Sequence, residues 1–134
     1  MKIYAPSARQ GRKLYEDAAA KRKLRSLGVS VDPSATIEDY ATFLGPADIG
    51  RGATICGKAT IGKHAEIGDG STIGHWSLLE DVVSVGPGVS VGRNCNIGYN
   101  TTIGEGSVIH PAVNIKAWAQ IGKNAHIFWS DELF

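Results

Sequence analysis

The sequence predicts an all-β solenoid built on a six-residue repeat and preceded by one α-helix. Three observations predict it. From Val31 to Leu133 every sixth residue is hydrophobic, 18 times in succession with no insertion or slip, and all but Phe43 are aliphatic. A chain that is 43% hydrophobic does not give this by chance, and a fixed period marks a repeat architecture. If that large residue is position i, the residue at i+1 is glycine nine times, at Gly50, Gly62, Gly68, Gly74, Gly86, Gly92, Gly98, Gly104 and Gly122. The residue at i+4 stays small from Ala35 to Ala125, through Ser71, Cys95 and Thr101, and only Asp131 departs. One large and one small inward side chain, two residues apart, is strand alternation. A helix, with its period of 3.6, cannot place them so. Between these pairs lies a short turn rich in Gly, Asn and Pro, where glycine is expected to relieve backbone strain.

In chain order, residues 1–30 form an arm and a basic helix, and residues 31–134 form the solenoid. Met1 to Pro6 reads as extended, with Ile3 and Tyr4 available to pack. Ser7 and Gln10 have the offset of a capping box. The run from Ala8 to Leu27 is rich in good helix formers, and Gly28 is placed as its C-cap. Leu14, Ala18, Lys21, Leu24 and Leu27 mark a thin stripe for docking on the first coil or on a neighbouring subunit. Asp32 and Pro33 make the first turn of the solenoid.

The net charge of +1 is unevenly spread. Residues 1–28 carry eight Lys or Arg against two acids, and the repeat region carries six against eleven. A basic head on an acidic body points to intersubunit contact or a bound polyanion before nucleic acid. No aromatic interleaving supports base stacking. Cys95 occupies a small inward position and Cys56 replaces a glycine at i+1; neither a disulfide framework nor a metal spacing follows. The N-terminus lacks the apolar region of a signal peptide, and no apolar run reaches membrane-spanning length. A cytoplasmic protein is expected.

The repeat resembles that of the hexapeptide-repeat, or left-handed parallel β-helix, acyltransferases, over about three quarters of the chain. The resemblance implies triangular coils of three hexads each, and hence about 5.5 coils here. With coils stacked about 4.8 Å apart the prism would be roughly 27 Å tall. It also implies a homotrimer, which the large residues Tyr40, Trp76, Val82, Tyr99 and Trp118 on two corners would suit. Residues 18 apart then fall into columns. Corner one holds Asp39-Tyr40, Gly57-Lys58, His75-Trp76, Arg93-Asn94, Pro111-Ala112 and Trp129-Ser130. Corner two runs from Gly45-Pro46 through Lys63-His64, Asp81-Val82 and Tyr99-Asn100 to Ala117-Trp118. Corner three runs from Arg51-Gly52 to Lys123-Asn124 and is small and polar. No long loop leaves any corner, whereas many enzymes of the family fence the active site with one. The pattern continues to the last residues, where Phe128, Trp129 and Phe134 are expected to cover the open coil.

By the same resemblance His75, at i+2 of its hexad, takes the position of the family's catalytic histidine. A neutral imidazole there would remove a proton from an attacking hydroxyl or amine. Trp76 stands where the family usually has Asp or Asn, so Glu80 or Asp81, from this chain or a neighbour, is expected to orient the ring. Lys58, Arg93, Lys116 and Lys123 are the expected contacts for the phosphates of acetyl-coenzyme A, and a backbone N–H of a glycine-rich turn is the expected oxyanion donor. His64, His110 and His126 are weaker candidates. Zinc-dependent members of the family place two histidines five residues apart. No pair here has that spacing, and no metal is expected. Thr36, Thr54, Thr72 and Ser90 form an outward ladder explained by β-propensity and cross-strand packing. The implied activity is transfer of an acyl group, acetyl first, from coenzyme A to a hydroxyl or amine of a sugar or small molecule. The rival reading is a structural or scaffolding solenoid without chemistry.

Overall fold

A computed structural model describes residues 18–128. One helix, α1 (Ala18–Ser26), leads into seventeen strands of two or three residues, β1 (Val29–Val31) to β17 (His126–Ile127). All pairings are parallel, and each joins residues 18 apart, as in Thr36↔Thr54 and Thr54↔Thr72. The strands stack into three sheets of six, six and five strands, the faces of a triangular prism. The first face begins at Val29–Val31 and ends at Gln120–Ile121. The second runs from Thr36–Ile37 to His126–Ile127, and the third from Thr42–Phe43 to Asn114–Ile115.

Each face turns its position-i residues inward. Ile37, Ile55, Ile73, Val91, Ile109 and Ile127 stack beneath the second face, all buried. Burying each such aliphatic side chain contributes about 1.5–3 kcal/mol. The polar members of the small inward series have partners within the core. Ser71 Oγ donates to the Gly86 carbonyl (2.6 Å) and accepts from the Val89 amide (3.0 Å). Ser77 Oγ does the same with Gly92 and Cys95. That is why hydroxyls can replace alanine there without leaving a buried group unpaired.

The solenoid starts two residues earlier than the large series alone indicates. Val29 pairs with Ala47 and so opens the small inward series. In α1, Ala20 and Leu24 are buried against the first coil, with Leu27 partly buried beside them. Lys21 is exposed, so the docking stripe is Ala20, Leu24 and Leu27 and does not pass through Lys21. Gly28 ends the helix at φ +84°, a left-handed C-cap. The expected arm and capping box before Ala18, and Trp129 and Phe134 as covers of the last coil, lie outside the described residues. Among the described residues no helix is long and apolar enough to cross a membrane.

The repeated glycines do a different job from the one expected. The left-handed backbone lies at i+3, for example at Trp76 (φ +64°) and Gly70 (φ +71°). The glycines at i+1, Gly122 excepted, are needed for close approach. A Cβ on Gly74 would lie 2.6 Å from the Arg93 amide nitrogen, and one on Gly98 would lie 2.4 Å from that of Ala117. The coil above sits directly against them.

Candidate functional site

Corner one is built where the second face turns into the third. In its lower three coils the successive turns are Glu38-Asp39-Tyr40, Cys56-Gly57-Lys58 and Gly74-His75-Trp76. The 18-residue register stacks them, so side chains distant in sequence meet along one edge. Tyr40, Lys58 and Trp76 all have left-handed backbone at i+3. That conformation throws three large side chains outward in a column, and the Lys58 ammonium lies 4.5 Å from the Trp76 ring centroid and 5.9 Å from that of Tyr40. These three residues, with Thr42, Thr60, Ser77 and Leu78, line a groove of about 330 Å³ running from the corner onto the third face.

His75 precedes Trp76 in the same turn and is not itself part of the groove's lining. Its ring is fixed from below by a single glycine. The His75 Nδ1 atom is 3.2 Å from the Gly57 carbonyl oxygen. A carbonyl only accepts, so Nδ1 carries the hydrogen and Nε2 is the basic nitrogen of the neutral ring. The amide of the same Gly57 donates to Glu38 Oε1 at 2.9 Å. One peptide residue thus orients both an imidazole and a carboxylate, and His75 Nε2 faces Glu38 Oε1 at 3.8 Å. The His75 side chain is 54% exposed and Glu38 only 21%. Cys56 completes the cluster: donor atoms of Glu38, Cys56 and His75 all lie within 4.8 Å of one another. Burial and the neighbouring Glu38 carboxylate push the Cys56 thiol up to about 11. At neutral pH it is therefore a protonated thiol and no thiolate nucleophile.

The carboxylate beside His75 in the chain is Glu38, two coils away in sequence. Glu80 and Asp81 follow strand Leu78–Leu79 across the third face to corner two, and each is engaged there. Glu80 Oε1 accepts from the Tyr99 amide (3.0 Å) and Asp81 Oδ1 from that of Lys63 (2.8 Å). Within one chain neither is brought to His75. Of the four cations, Lys58 and Arg93 stand on corner one, below and above His75, and both are exposed. Lys116 precedes corner two and Lys123 lies on corner three, so one chain does not gather all four. His110 stacks on Phe128 at the top of corner one, ring centroids 4.0 Å apart, with His126 beside them. His64 sits on corner two at φ +61°. Glu38 and Cys56 could have been found from the sequence: each replaces glycine at i+1, and they stand 18 residues apart.

No protein-family model and no curated protein matches the chain. Solved structures do. One is a perosamine N-acetyltransferase from Caulobacter crescentus, solved as a His-to-Asn mutant with CoA and GDP-perosamine. It superposes with a TM-score of 0.74 at 22% identity, over 85% of this chain and 56% of that one. AntD, an N-acyltransferase from Bacillus cereus solved with dTDP and 3-hydroxybutyryl-CoA, gives a TM-score of 0.52 at 15% identity over 80% of each chain. A hexapeptide transferase family protein from Anaplasma phagocytophilum gives 0.50 at 20% identity, over 76% of this chain and 67% of that one. The likeness is one of fold, the left-handed parallel β-helix. The chain spans little more than half the length of the Caulobacter enzyme.

Proposed function

We propose that this chain is a coenzyme-A-dependent acyltransferase, with acetyl as the first acyl group to test and a hydroxyl or amine of a sugar or small molecule as acceptor. The observation that carries the reading is the pinned tautomer of His75. Its Nδ1 hydrogen is held by Gly57, so a basic Nε2 stands on a half-exposed corner beside a groove. In the reaction Nε2 takes the proton of the acceptor O–H or N–H as that atom bonds to the thioester carbonyl carbon. The tetrahedral intermediate then collapses, the C–S bond breaks, and the imidazolium returns the proton to the departing thiolate. A proton on Nε2 arrives facing the Glu38 carboxylate, which makes Glu38 the positioning residue within the chain.

In this reading the active unit is a homotrimer, because the groove is open on its outer side. Corner two of a neighbouring protomer would close it, bringing Trp118 and Tyr99 toward Trp76, and the neighbour's copies of Glu80 and Asp81 toward His75. Lys58 and Arg93 are the chain's phosphate contacts nearest His75, and Lys116 and Lys123 would join from other corners of the assembly. CoA-bound acyltransferases of the same fold support this reading.

Calorimetry with acetyl-coenzyme A tests it first: saturable binding with one site per chain is expected. His75→Ala should then lower kcat/KM for transfer by about 10²–10⁴ while leaving cofactor affinity and assembly intact. No binding at all favours a scaffolding solenoid, and full turnover without His75 removes it from the mechanism.

A further inference from the structure

The Glu38, Cys56 and His75 cluster presents three different metal-binding donors, one from each of three successive coils, on one edge of the solenoid. We propose that it is a binding site for a single soft divalent cation, Zn²⁺ by the chemistry of its donors, with water in the fourth position. Thiolate sulfur, imidazole nitrogen and carboxylate oxygen are the ligand types zinc takes, and three protein ligands plus water is its open-site arrangement.

The distances fit. Bond lengths of 2.0–2.3 Å in a tetrahedral site put donor atoms about 3.3–3.8 Å apart. His75 Nε2 and Glu38 Oε1 are already 3.8 Å apart, and no pair exceeds 4.8 Å. Contraction by about 1.5 Å or less completes the triangle. The outer partners are also in place. A ligating histidine needs its other ring nitrogen held, and a ligating carboxylate needs a donor. Gly57 supplies both, its carbonyl to His75 Nδ1 and its amide to Glu38 Oε1.

His75 Nε2 and Glu38 Oε1 face each other at 3.8 Å, and the Cys56 sulfur lies beside both. A divalent cation placed between the three would accept lone pairs from Nε2 and Glu38 and displace the Cys56 proton to water as the sulfur ligates. Half-exposed His75 leaves the entry path open.

This site does not rest on acyl transfer. It uses the same Nε2 lone pair, however, so a bound metal and a general base exclude each other, and zinc would hold the proposed activity off until chelated. Direct binding separates the two questions. The metal-free full chain is titrated with Co²⁺ and the near-ultraviolet thiolate-to-cobalt band is followed; Zn²⁺ is then used to displace the cobalt. One Co²⁺ per chain, a sulfur band, and a zinc Kd of about 1 µM or tighter are expected. Cys56→Ser should abolish the band and Cys95→Ser should keep it. Glu38→Gln and His75→Gln should each weaken zinc by more than the roughly 10–100-fold that loss of an outer partner causes. Circular dichroism and thermal unfolding verify that each variant is folded. No band and no calorimetric zinc binding in the wild-type chain would overturn the proposal. So would a band that follows Cys95, or binding indifferent to both Glu38 and His75.

Discussion

Corner three and corners one and two solve the same backbone problem with opposite residues. Among the described turns all but those at Ser34 and Pro46 put the i+3 residue in the left-handed region. On corner three the occupants are Gly52, Gly70, Gly88, Gly106 and Asn124, residues that adopt it at little cost. On the other two corners the occupants include Tyr40, Lys58, Trp76, Val82 and Trp118. A left-handed conformation costs a residue with a Cβ roughly 1–2 kcal/mol, and a β-branched Val82 at φ +62° is a true outlier. Trp76 and Trp118 are moreover 60% and 68% exposed. Neither strain nor exposure stabilises a lone prism. Sparsely populated backbone persists where a site needs it, and here it turns large side chains outward on the two corners that carry the groove, the histidine and the proposed subunit contact. Corner three has been left to fold cheaply.

The largest effect should come from testing what those side chains meet. Trp118→Asn keeps a residue that tolerates the left-handed region and removes the ring that packs edge-on against Tyr99, with centroids 5.6 Å apart. If corner two is a subunit contact, a buried Trp there is a candidate hot spot with about 2 kcal/mol or more at stake. Light scattering should then show a trimer falling to monomer while circular dichroism shows each monomer still folded. A wild-type chain that is already monomeric would remove the interface as the reason for the strain.

The same contrast explains what was legible in the sequence. The interior could be read because burial repeats: the large series and the small series fix the strands, the period and the stacking, and Ile37 to Ile127 all point inward. The corners were legible only as columns. The role of the i+1 glycines was not, because the approach of a neighbouring coil, as at Gly98 and Ala117, leaves no local mark. The partner of His75 was missed for a related reason. Glu80 and Asp81 are near in sequence, but one short strand carries them to another corner. Glu38 and Cys56 are 37 and 19 residues away and stand one position off the column of His75 itself, so strict counting by eighteen puts Gly57 under the ring and steps past both.

A smaller effect isolates the backbone term. Gly70 on corner three has φ +71°, and a Cβ there would meet nothing within 4 Å. Gly70→Val therefore adds left-handed strain without a clash and should lower stability by about 1–2 kcal/mol in urea unfolding. Gly98→Ala is the control in which the new methyl meets backbone, and its loss should be larger. If Gly70→Val is neutral, the bulky corners carry no strain and their residues need no functional account.

The smallest effect concerns charge, where the corners differ again. At the foot of corner three, hydrogen bonds from Ser34 to the Asp32 carboxylate hold Asp32 below its usual range. Its contribution to stability is present above the unfolded value near 3.8 and fades as pH falls through the lower folded one. At corner one the thiol of Cys56 moves the other way, from 9.0 to about 11, through burial first and Glu38 second. The folded state favours the neutral thiol. Its contribution is therefore complete below the unfolded value of 9.0 and is lost as pH rises through about 11. A shift of that size on a fully buried group would correspond to about 2.7 kcal/mol; half-exposed and screened, Cys56 should contribute about 1 kcal/mol. Cys95 is also raised, chiefly by burial, and remains in both proteins. Metal-free wild-type chain should thus lose more stability between about pH 8 and about pH 11 than Cys56→Ser does, measured by urea unfolding with chelator present. Equal alkaline losses would mean that Glu38 and burial do not hold the thiol neutral, and that corner one's lower end is as open to solvent as corner three.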